Sequence, residues 1–154
     1  YAFASHFAPD DLDAAVKLYR REFQPSEALK KPYVMLGLSV FAAESDREAE
    51  RLFTSLQLAF VKLRRGDPGL LEPPIESMDG LWSSVEKAQL SRALACSVVG
   101  SPDTVCLGLD AFIARTNPDE LIVTAQIFDH AARLRSFEIL ADVQAKLAPR
   151  PSPA

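Results

Sequence analysis

The chain contains only two histidines, His6 and His130, and both fall where an alternating strand–helix fold would place chemistry. His6 closes the apolar run YAFASHF (1–7), and His130 follows the run ELIVTAQIF (120–128), with Asp129 beside it. In parallel α/β folds functional groups gather at the C-terminal ends of strands. Both histidines would then lie on the same rim. The plainer alternative makes His6 a partly buried, satisfied histidine and His130 a helix-start residue. Thr124 and Gln126 interrupt the last apolar run and alternate with Ala125 and Ile127, which puts them on one face. Polar groups aimed into a closed interior need a partner, a water or a ligand. Trp82 would either cap a pocket or simply pack. Arg133 and Arg135 would either hold an anion or face solvent.

Other chemistries have no support. No HExxH or CxxC surrounds the histidines, so no metal-ligand spacing exists. Walker, GxGxxG and GxSxG signatures are missing, and nothing specific supports a serine triad. Seventeen basic against twenty-one acidic residues give a formal charge of −4, without a basic patch for nucleic acid. The apolar runs are far shorter than the roughly 20 residues of a membrane helix, and there is no signal-peptide pattern. Cys96 and Cys106 are too few for a disulfide framework and sit in helix-like apolar patterns, as small buried hydrophobes do. These features predict a cytoplasmic protein. A start at Tyr1, directly on a strand-like run, suggests that further sequence lies upstream.

The elements that must position these groups follow from periodicity. Residues 1–7 read as a strand. Pro9, Asp10 and Asp11 open a helix with Leu12, Ala15, Val16, Tyr19 and Phe23 on its apolar side. YVMLGLSVFAA (33–43) has no charge and no polar face, as in a strand covered on both sides. Ser45 and Glu48 form a capping-box pattern before a long helix that Gly66 ends. Residues 66–82, with three prolines and three glycines, read as an insertion. Ser83 and Glu86 start a second capped helix, to about Cys96. In SVVGSPDTV, Ser101 suits an N-cap and Pro102 the first helical position. Asn117-Pro118 stops that helix. The last helix, about 130–147, would carry Leu134, Phe137, Leu140 and Ala141 inward, and residues 148–154 read as a disordered tail. Three strands separated by helices imply parallel pairing, yet an eight-stranded barrel needs about 250 residues. The expected fold is therefore the closing portion of a (β/α)8 barrel.

Three passages carry a resemblance: YAFASHFAPDDLDAAVKLYRREFQPS, PYVMLGLSVFAAESDREAERL, and the segment from SVVGSPDTV to FEILADV. In that order they are similar to the C-terminal part of bacterial-luciferase-like flavin-dependent monooxygenases, over residues 1–147. The resemblance implies a TIM-type (β/α)8 barrel, with 1–7 as strand six, 33–43 as strand seven and 120–128 as strand eight. It makes residues 66–82 the family's insertion near the active site. It implies reduced FMN, supplied by a separate flavin reductase, and oxidation of a small organic substrate such as an aldehyde with O2; a deazaflavin is the alternative cofactor. Cofactor contacts carried over are Ser5, His6 and Phe7 at the end of strand six, and Gln126 and Phe128 at the end of strand eight. No catalytic residue and no metal ligand follows. His6 departs from the tryptophan-rich arrangement of true luciferases, which counts against light emission. The family's phosphate-cradling turn and first strands lie outside this sequence. The fragment alone is then expected to be inactive, and its free strand edges predict a homodimer or larger oligomer. The competing expectation is a non-catalytic flavin-binding or structural protein.

Overall fold

The computed structural model describes residues 1–147; the expected tail, 148–154, lies outside them. The elements are β1 (Ala2–Phe3), a single 3-10 turn (Pro9–Asp11), α1 (Leu12–Glu22), β2 (Met35–Ala42), α2 (Asp46–Arg64), α3 (Ser84–Ala93), β3 (Ser97–Gly100), α4 (Pro102–Thr116), β4 (Glu120–Thr124) and α5 (His130–Lys146). All strand pairings are parallel, and β2 is the partner of every other strand. This is an α/β fold with a parallel sheet.

Backbone bonding shows how one strand holds three others. A strand turns successive residues toward opposite edges. Met35 and Ser39 donate their N–H groups to Tyr1 and Cys96, and the Gly37 carbonyl accepts from His6. The Val34 carbonyl instead accepts from Asp119 and Glu120. Odd-numbered residues thus serve β1 and β3 along one edge, one beyond the other, and even-numbered residues serve β4 along the opposite edge.

The two faces of β2 belong to two cores. Leu36, Leu38, Val40 and Ala42 pack with Leu12 and Val16 of α1, Val105, Leu109 and Phe112 of α4, and Ile139 and Val143 of α5. Phe41 and Ala43 pack with Leu52 and Leu56 of α2, Leu90 of α3 and Leu94 just after it, and Ala125 and Ile127 after β4. Coverage on both faces explains why β2 carries no charge.

Several expected boundaries shift. β1 stops at Phe3, because residues 4–7 turn away from the ladder: Phe7 N–H donates to Ala4 at 2.9 Å. β4 stops at Thr124 rather than 128. α3 ends at Ala93, and Ser97–Gly100, which none of the three expected strands includes, is a strand pairing with Ser39–Ala42. Cys96 accordingly precedes a strand rather than lying in a helix, although it is buried as expected. In α5 the inward residues are Ser136, Ile139 and Val143, with Leu134 and Phe137 40–50% exposed. The helix turns its serine inward because Ser136 Oγ accepts a 2.9 Å bond from the buried Ala42 N–H. Helix stops fall as read: Gly66 has φ of +79°, and Asn117 caps α4 in the left-handed region.

Residues 66–82 form neither helix nor strand and are tacked to α2. Ile75 N–H donates to Thr54 Oγ1 at 2.9 Å, Lys62 pairs with Glu72, and Met78 is buried. Among the described residues no helix is long and apolar enough to cross a membrane.

Candidate functional site at the C-terminal rim of the sheet

The best-defined part of the rim is the turn after β1. Ser5 is fully buried, and its hydroxyl donates to the Gly37 carbonyl. The same carbonyl accepts the His6 N–H at 3.2 Å. One carbonyl of β2 therefore fixes the turn and aims His6. The Nδ1–Cε1 edge of the His6 ring rests on Gly37, where an added Cβ would sit 2.7 Å from Nδ1. Nδ1 is buried without a hydrogen-bond partner, a rare condition for a buried polar atom. Phe7 leans its ring against the imidazole, centroids 4.2 Å apart, and is itself 70% exposed.

On the opposite edge of β2, Thr124 Oγ1 meets Ser39 Oγ at 3.3 Å, so this polar residue of β4 finds its partner inside the sheet. The face expected to be shared by Thr124 and Gln126 ends with the ladder. Beyond it Ala125 and Ile127 turn into the second core, while Gln126 and Phe128 are exposed. Both flanking residues of the expected set thus reach the surface, and Ser5 does not.

The charged groups nearby are largely committed. Asp129 caps α5 by accepting from Ala132 N–H at 2.7 Å. His130 Nδ1 and Arg133 Nη2 are 2.8 Å apart. Arg135 binds Glu44 and Glu138, so it is not a spare anion holder. The start of α4, where exposed amides favour an anion, is already filled. Asp46 Oδ1 accepts the Ser101 N–H at 2.7 Å, and that amide, followed by the hydroxyls of Thr104 and Ser101, holds the Asp46 carboxyl below the usual carboxylate range. Gly100 permits this closure: a Cβ there would fall 2.5 Å from Thr104 and 2.7 Å from Asp46. Sequence reasoning missed this contact, since Asp46 and Ser101 are 55 positions apart.

Trp82 lines a cavity of about 190 Å³ with Phe53, Gln57, Leu90, Leu94 and Val99, and Lys87 Nζ lies 5.7 Å from its ring centre. The Cys96 thiol is pushed up by burial, which keeps it protonated and unreactive. No group of three or more His, Cys, Asp or Glu side chains that could hold a metal ion exists among the described residues.

Comparison with known proteins supplies the family. No family model matches the chain. A curated protein of Escherichia coli K12, named luciferase-like monooxygenase, is 52% identical over 147 residues, which is 96% of this chain and 44% of that protein. The chain belongs to the luciferase-like monooxygenase family. Its relative YvbT of Bacillus subtilis, itself uncharacterised, is 44% identical over 93% of the chain and 43% of YvbT. Among solved structures, apo-MsnO8 superposes with a TM-score of 0.78 at 31% identity, over 97% of this chain and 46% of MsnO8. The oxygenating constituent of 3,6-diketocamphane monooxygenase from Pseudomonas putida, solved with FMN, shares the fold at TM-score 0.57 and 21% identity, over 97% of this chain and 42% of that one. This luciferase-like chain thus spans about 44% of the length of the curated relatives it matches.

Proposed function

We propose that this chain supplies strands six to eight of a luciferase-like (β/α)8 barrel, with residues 66–82 as an insertion beside the site. The complete barrel would use reduced FMN and O2 to oxidise a small organic substrate. The observation carrying this reading is the 52% identity to a luciferase-like monooxygenase across 96% of the chain. In support, β1, β2 and β4 lie side by side in the order a barrel's closing strands require, and a neighbour of the same fold is solved with FMN.

The rim suits a flat, hydrogen-bonding ring. Phe7 and Phe128 offer exposed aromatic faces, Gln126 offers both a donor and an acceptor, and His6 stands between the Phe7 ring and the backbone of β2. Bound FMN would supply the redox and oxygen-handling chemistry. The chain's own residues would orient the ring and keep water away from it. Ser5 would act one step back, holding the turn that aims His6 and Phe7. The phosphate would be held elsewhere than the start of α4, which Asp46 occupies. Two free thiols, one buried, fit a cytoplasmic setting.

The test is flavin binding and oxygen consumption by a family-length chain that includes these residues, with a flavin reductase, an aldehyde and either FMN or a deazaflavin. FMN-dependent O2 uptake is expected, and none from the 154-residue chain alone. A family-length chain that binds no flavin refutes the reading, and reduction with deazaflavin alone moves it to the other cofactor.

A further inference from the structure

The contact between Gly37 and His6 decides which imidazole nitrogen carries the proton. An added Cβ on Gly37 would have His6 Nδ1 at 2.7 Å, Cε1 at 2.9 Å and, next nearest, Ala4 Cα at 3.5 Å. The other three ring atoms are therefore farther than 3.5 Å. A Cβ above the ring face would lie nearly as close to Cγ as to Nδ1, so Gly37 meets the Nδ1–Cε1 edge of the ring instead. The Cα–H bond that replaces Cβ in glycine points along the same line, into that edge. A lone pair on Nδ1 can face this C–H without a clash. A proton on Nδ1 would point at a C–H and be a buried donor without an acceptor, which is rarer than an under-satisfied acceptor. Nε2, in contrast, is neither buried nor bonded within the chain.

We propose that Gly37 locks His6 in the tautomer protonated at Nε2, so that His6 presents an N–H donor on the rim to a carbonyl-type oxygen of the bound ligand. Which ring nitrogen carries the proton is set by what surrounds the other, and here that surrounding is backbone. Glycine at position 37 is then a requirement of the site, 31 residues away in sequence, since any side chain would displace the imidazole. The assignment of a ligand to Nε2 rests on the flavin reading of the rim; the tautomer does not.

Nitrogen-15 NMR of the histidine rings in the 154-residue chain, at alkaline pH, tests the lock directly. His6 is expected to show a lone-pair Nδ1 and a protonated Nε2. Protonated Nδ1, or averaging between the two tautomers at His6, overturns the proposal. In Gly37→Ala, His6 should drift to the averaged pattern; an unchanged His6 spectrum in a folded variant also overturns it. If that variant fails to fold, the wild-type spectrum alone decides. Titration with FMN, followed by flavin fluorescence, tests the donor: binding should shift His6 Nε2 and spare His130. Flavin bound with His6 unmoved removes the donor assignment. A locked tautomer with no flavin bound by a family-length chain supports the lock and refutes the functional reading instead.

Discussion

At the scale of single residues, side chains on this protein are constrained mostly by backbone partners. Glu86 shows the energetic sign most clearly. The Arg65 guanidinium, followed by the Ser83 N–H and hydroxyl, pulls its carboxyl from the ordinary 4.5 down to about 2. A carboxyl depressed on folding adds stability above its unfolded pKa and loses it as pH falls through the folded one. The contribution of Glu86 should thus be complete above about pH 4.5 and vanish as pH approaches about 2. Urea unfolding across that range should show a shallower decline for Glu86→Gln than for the parent; parallel curves would remove Glu86 as a contributor. Ser83 and Glu86 were legible in sequence, because a capping box is local. Gly37 was not, because nothing near residue 37 announces that a ring from residue 6 will rest on it. His6 could be placed at a strand end, but its aim depends on a carbonyl in the next strand. Gln126 and Phe128 were read as the end of a strand that in the structure stops at Thr124, and the burial of Ser5 beneath the turn was not legible.

At the scale of elements, length separates what the sequence discloses from what it hides. β2, with eight uncharged residues, declares itself. β3 has four residues directly before a strong helix start, and its identity comes from pairing with Ser39–Ala42 rather than from its own pattern. The inward side of α5 was read only in part, Leu140 packing against the core as expected, for a related reason. Leu134 and Phe137 look like a core stripe, yet the docking point is Ser136, whose hydroxyl answers the Ala42 N–H at the end of β2. Ser136 is 2% exposed, so Ser136→Ala would strand a buried donor. The expected loss is about 1–3 kcal/mol, read as a lower urea midpoint at unchanged slope. A variant as stable as the parent would mean that water takes over this bond.

At the scale of the whole molecule, the two outer strands of the sheet, β1 and β4, both carry exposed apolar side chains nearby. On β4, whose outer edge is unpaired among the described residues, Ile122 is 48% exposed, and Phe128 shortly after it is equally so. Beside β1, Tyr1, Leu18, Tyr19 and Phe23 line a hollow of about 560 Å³. An open edge with apolar neighbours is a template for pairing. Light scattering of the purified chain should give a mass above 16.9 kDa that rises with concentration, and Ile122→Lys should lower it. A constant 16.9 kDa species would show that these edges are tolerated by a monomer.

The position of β2 also sets how the molecule comes apart. Three strands and both cores meet on it, so no local opening frees its amides while those contacts stand. Deuterium uptake should be slowest at Leu36, Leu38 and Val40, proceeding only through global unfolding, and fastest across 66–82, which exchanges by fraying from α2. The midpoint strand then acts as the last clasp of the fold, and the segments beside the rim can breathe without releasing it.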